Sequence, residues 1–239
     1  MVLCAQLSFG SPVDEFKAAN QLYDAGKFTE AIAAYEKIEP KSAHVFYNLG
    51  NACFRANQLG NAILHYERAR RLSPRDPDIL ANLKFAEERL GVDAANASPK
   101  AIERFLHSVV FSRTPSEWSG FELAGLWATV IGVGLWVWLP SYRSVWATLS
   151  LAAFLCFSAT TGVLAWRVTG QRHRPEAVVL LKQADARFAP LTDATVHFKL
   201  AEGMRVAVRE DRGQWLFVER VDGQQGWVPA NTVERVGLY

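Results

Sequence analysis

Leu123–Leu139 (LAGLWATVIGVGLWVWL) and Val145–Trp166 (VWATLSLAAFLCFSATTGVLAW) are two apolar runs split only by Pro140-Ser-Tyr-Arg-Ser144. At a rise of ~1.5 Å per residue the second run crosses a hydrocarbon core of ~30 Å, and the first does so once Trp118, Gly120 and Phe121 extend it. The pattern predicts a transmembrane hairpin over residues 115–168, with spans at 121–139 and 145–166. A buried hairpin in a soluble core is the competing reading, disfavoured because 22 residues without a charge exceed the ~18 that mark a span. Indoles prefer the headgroup level, so Trp118 and Trp166 would mark one interface and Trp136, Trp138 and Trp146 the other. Thr114-Pro-Ser-Glu117 reads as a helix start, with Thr114 as N-cap and Pro115 at the first helical position. Ser158, Ala159 and Gly162 offer a small-residue face where the two spans are expected to approach.

Flanks of about 120 and 70 residues remain, each enough for one small domain. The formal net charge is +2 with Lys and Arg dispersed, which gives no basic stripe for nucleic acid. Cys4, Cys53 and Cys156 lie far apart in separate segments and form neither a zinc spacing nor a disulfide framework. Residues 1–10 (MVLCAQLSFG) resemble the back half of a secretory signal, with Ser8 and Gly10 small at the cleavage places and the basic start missing. A truncated signal segment and an apolar tail before the first helix both fit.

Asn20–Tyr35 and Asn51–Tyr66 superimpose at a constant offset of 31 residues. Each reads as helix, tight turn, helix. Gly26 and Asn57 stand at the turn, where a left-handed backbone is cheap only for Gly or Asn. Ala31 and Ala62 are small where the two helices of a unit cross, Tyr35 and Tyr66 fill the space one turn later, and Pro40 and Pro74 stop the second helices. Phe46, Leu49-Gly50, Ala62, Tyr66, Ala69 and Pro74 stand at the signature places of the tetratricopeptide repeat, which this segment resembles most clearly over residues 43–76. Asp76 and Pro77 then open a closing helix, so residues 11–90 read as an all-α array of two units and a cap.

That resemblance implies capture of an extended peptide on the face made by the first helix of each unit. Its groove positions fall on Asn20, Tyr23, Asn48, Asn51, Phe54 and Asn82; asparagine amides suit a peptide backbone, and those of Asn48 and Asn51 are expected to face solvent. Exposed polar positions without a ligand are the plainer account of the same asparagines. The family's basic carboxylate clamp is missing, since Phe16, Asp78 and Asn82 occupy those places.

Residues 91–114 combine a small, polar linker with a short amphipathic helix in which Ile102, Phe105, Leu106, Val109 and Val110 share a face. After Arg167 the period changes to two. Val178–Leu181, Arg205–Val208 and Trp215–Val218 read as strands and Asp222-Gly223 as a hairpin turn, giving a small all-β barrel over 175–239. Gly226-Trp-Val-Pro229 and its surroundings resemble the bacterial SH3-like domain, which implies an aromatic groove of Phe188, Trp215 and Trp227 for an extended ligand. Core positions for at least one of those tryptophans fit equally.

Helical array, two-helix hairpin and SH3-like barrel together make a multidomain membrane protein whose order resembles the BatE family of the bacterial aerotolerance operon. The resemblance implies a two-span inner-membrane scaffold. Its partners would be membrane proteins with von Willebrand factor A-type domains and a MoxR-type ATPase, in aerotolerance or envelope stress. A sensor that binds peptidoglycan or a peptide through the barrel is the alternative. No nucleophile with a base, phosphate loop or metal cluster stands in the sequence, so neither enzymatic activity nor a cofactor is expected. Two spans place both soluble parts on one side. Arg and Lys flanking the hairpin argue for the cytoplasm, while the signal-like start and the resemblance favour the periplasm.

Overall fold

The computed structural model describes residues 11–92, 115–173 and 176–237. The expected signal segment at 1–10, the amphipathic helix around Ile102–Val110 and the Thr114 cap lie outside them. Two compact units emerge: the helical array together with the β-domain, and the apolar hairpin.

Five helices make the array: α1 (Pro12–Asp24), α2 (Phe28–Lys37), α3 (Ala43–Arg55), α4 (Leu59–Leu72) and α5 (Pro77–Leu90). Side-chain caps set the starts of α1, α3 and α5, because the first backbone N–H groups of a helix need acceptors. Ser42 accepts from Val45 N, and Asp76 accepts from Asp78 N and Ile79 N. The turns are those expected, with Gly26 at φ 75° and Asn57 at φ 60°. Ala31 and Ala62 are fully buried at the crossings. Gly50 has no alternative, since a Cβ there would stand 2.6 Å from a ring carbon of Tyr66.

Two apolar helices follow, α6 (Pro115–Trp138) and α7 (Arg143–His173), joined through a 3-10 turn at Pro140–Tyr142. Both are long and apolar enough to cross a membrane, and nearly all their described side chains face outward. Their close approach differs from the expected one. A Cβ on Gly125 would lie 3.3 Å from Phe157 Cβ, and one on Gly132 would run into Ser150 Oγ, whereas nothing stands within 4 Å of Gly162. Ser158 and Ala159 are exposed as well. The seam on α7 runs through Ser150, Ala153, Phe157, Thr160 and Leu164, alternating steps of three and four, and the three small residues fall off it.

The β-domain has seven strands: β1 (Glu176–Val179), β2 (Gln183–Arg187), β3 (Val196–Ala201), β4 (Arg205–Asp211), β5 (Trp215–Arg220), β6 (Gln225–Pro229) and β7 (Val233–Arg235). They form one antiparallel sheet in the order β3-β2-β6-β5-β4-β1-β7. Leu200 on one edge strand and Val233 on the other reach the same core as Val179 and Val218, so the sheet curls round it as a barrel does. Strands β2 and β3 escaped the sequence reading because their alternation is faint: β2 buries only Ala184 and Ala186, and β3 only Leu200.

Read as sequence, residues 11–90 and 175–239 are separate domains; folded, they share a core. Val178 and Val236 belong to the same cluster as Ile63, Leu64 and Val92, with Leu180 and Met204 packed against it. Gly203, at φ 79°, makes this possible, because a Cβ there would lie 2.6 Å from Ile63 Cδ1 and 2.7 Å from Leu90 Cδ1. Polar contacts frame the apolar ones. Glu202 Oε1 accepts from Gly60 N at 2.7 Å, placing a carboxylate at the N-terminus of α4, where the helix dipole favours it. Arg68 reaches Glu234 at 2.6 Å and Arg71 reaches Glu176 at 2.9 Å. Arg205 on β4 meets the fully buried Glu67 of α4 at 2.9 Å.

Candidate functional site

Helices α1, α3 and α5 lie side by side, so the first helix of each unit and the cap build one face. Asn20, Asn51 and Asn82 recur on it at the 31-residue period. Asn20 Oδ1 accepts from Tyr35 Oη at 2.5 Å and from Asn48 Nδ2 at 3.3 Å. One unit on, Asn51 Oδ1 accepts from Tyr66 Oη at 2.7 Å and from Asn82 Nδ2 at 2.9 Å, and Asn82 Nδ2 also reaches Tyr47 Oη at 3.0 Å. Burial pushes the Tyr35 hydroxyl up to about 12 and the Tyr66 hydroxyl well above its usual value, so both remain donors at neutral pH.

The asparagines are therefore rungs that tie each unit to the next. The expectation that Asn48 and Asn51 present free amides to solvent is corrected: both are half-buried and bonded within the array. A second row runs beside them. Tyr23, Phe54 and Phe85 share the same period, and Phe85 is 56% exposed. Its ring lies 5.5 Å from Phe54, over which the Arg89 guanidinium sits at 5.4 Å. Tyr23 meets Phe28 edge-on at 5.4 Å, and Arg55 covers Phe28 at 4.7 Å. Phe85 was missed by the sequence reading, although counting one further period from Phe54 finds it. At the clamp places Phe16 packs on Tyr35 at 5.9 Å, and Asn82 is a rung.

On the barrel, Phe188 stands apart from the other two expected groove aromatics. Trp227 is buried beneath Phe217 at 5.0 Å and the Arg212 guanidinium at 4.5 Å. Trp215 stands half-buried opposite Pro229 in the β5–β6 register. Phe188 is exposed and stacks on His197 at 4.2 Å. Among the described residues no ring contact joins Phe188 to either tryptophan. Nor does any group of three or more His, Cys, Asp or Glu side chains among them stand ready to hold a metal ion.

Residues 43–76 match the tetratricopeptide repeat family. The chain therefore contains a tetratricopeptide repeat. No curated protein matches the chain. Repeats of this kind bind other proteins, so an interaction scaffold is the role the array carries.

Proposed function

We propose that the protein is a non-enzymatic scaffold anchored in the bacterial inner membrane, which captures a partner's extended segment on the α1–α3–α5 face. One observation supports this reading above the others: a row of half-buried Tyr23 and Phe54 ending in the exposed Phe85, flanked by the exposed Arg55 and Arg89, lies beside an asparagine ladder that holds the helices in place. Large aromatics and Arg dominate protein interfaces because they bury much area at small entropic cost. By the family resemblance, the partners are von Willebrand factor A-type membrane proteins and a MoxR-type ATPase in an aerotolerance or envelope-stress complex. The test is co-purification of a von Willebrand factor A-type partner with wild type and with Phe85→Ala. Loss of an exposed hot-spot ring leaves the fold intact and is expected to weaken capture by roughly tenfold or more. Equal recovery would move the binding surface elsewhere.

The soluble parts face the periplasm in this proposal. Array and barrel form one folded body built from chain on both sides of the hairpin, which requires an even number of crossings. Single cysteines at the exposed Glu30 and Gln183 should therefore react together with a membrane-impermeant maleimide applied to intact spheroplasts. Labelling of one without the other would end the hairpin topology; protection of both would place the body in the cytoplasm. A barrel that senses peptidoglycan or a peptide is the second reading, favoured by the exposed Phe188–His197 stack. Peptidoglycan pull-down by the full chain, lost in Phe188→Ala, distinguishes it.

A further inference from the structure

A cleft of about 640 Å³ opens on the opposite side of the array, between α2 and α4. Phe46, Leu49 and Cys53 of α3 line it, as do His65 and Arg68 of α4 and Glu234 of the barrel. We propose that this cleft binds the side-chain carboxamide of an asparagine or glutamine in a partner polypeptide.

Two buried polar atoms point to that chemistry. His65 is 7% exposed, its ring lies parallel to Phe46 at 6.2 Å, and its Nδ1 has no hydrogen-bond partner. Arg68 commits Nη2 to Glu234 Oε1 and to the Arg235 carbonyl, and its buried Nε–H is likewise unmet. Buried polar groups are nearly always paired, and these two sit one helical turn apart on a single wall. The guanidinium Nε–H can only donate. Burial, with Arg68 and Lys41 nearby, pushes the imidazole down to about 3, so the ring is neutral at pH 7 and one of its nitrogens accepts.

A carboxamide offers an oxygen for Arg68 and an N–H for His65 Nδ1 within one planar group. A carboxylate offers acceptors alone. It would also add a negative charge where Glu36, Glu39 and Glu234 already outnumber Lys41 and Arg68. The site is separate from the α1–α3–α5 face and does not depend on it.

The test is ¹⁵N spectroscopy of the full chain in nanodiscs, labelled at its five histidines, during titration with N-acetyl-glutamine methylamide. The expected result is a saturable upfield shift of the unprotonated His65 Nδ1. N-acetyl-norvaline methylamide should not produce it, and N-acetyl-glutamate methylamide should bind at least tenfold more weakly. Arg68→Lys keeps the charge opposite Glu234 and removes the Nε–H, so it should weaken the glutamine probe roughly tenfold, the loss of one charge-assisted bond. The wild-type series decides even if that variant misfolds. No shift with any probe, an equal response to norvaline, or preference for glutamate would each overturn the proposal.

Discussion

Glu67→Ala is expected to lower stability by about 3 to 5 kcal/mol, the usual cost of removing one partner from a buried charge cluster. Glu67 is fully buried in α4, bonded to Arg70 at 2.7 Å on its own helix and to Arg205 at 2.9 Å on the barrel, and Glu87 approaches Arg205 at 3.4 Å. Burial by itself pushes the carboxyl up, but the charges of Arg70 and Arg205 outweigh it and hold the group below its ordinary 4.5. A depressed carboxylate stabilises the fold above the unfolded value and loses that contribution as pH falls through the folded one. Truncation leaves the half-buried Arg70 and Arg205 side by side without their shared anion, with Glu87 as the carboxylate still beside Arg205. Since the residue joins array and barrel, helical and near-ultraviolet signals should fall together in urea. A loss under 1 kcal/mol, or a barrel that melts unchanged, would contradict the shared core.

Local punctuation made the array legible: Gly26, Asn57, Ala31, Ala62 and Asp76 each impose one backbone or packing solution, and the structure uses them so. What the sequence concealed is the docking of the barrel. Glu67, Arg68, Arg70 and Arg71 look like the solvated face of a surface helix, because a charge run reads alike whether water or another domain's Glu176, Arg205 and Glu234 complete it. One faint signal existed. Ala177, Val178 and Val179 are apolar without alternation, the mark of a strand covered on both faces, and Val178 indeed turns to the array while Val179 fills the barrel. The groove was half legible for a related reason. Periodicity identifies Asn20, Asn51 and Asn82 as equivalent, but not that the tyrosine hydroxyls claim their oxygens.

Lowering the pH from 6.5 to 4.5 is expected to cost the folded body about 2 to 3 kcal/mol through His65 alone. Its imidazole is held neutral down to about 3, first by burial and then by the charges of Arg68 and Lys41, whereas the unfolded chain protonates it near 6.5. Between those values the unfolded state binds the extra proton, so stability declines by ~1.4 kcal/mol for each unit of acidification. This contribution is fully present above pH 6.5. Glu67 is shifted by its arginine partners below its ordinary value, so its contribution is lost at lower pH than that of His65. His65→Phe keeps a ring against Phe46 and cannot titrate, and its urea midpoint should stay level from pH 6.5 to 4.5 while that of wild type falls. Parallel profiles for the two proteins would show that acid enters the fold somewhere other than the α2–α4 cleft.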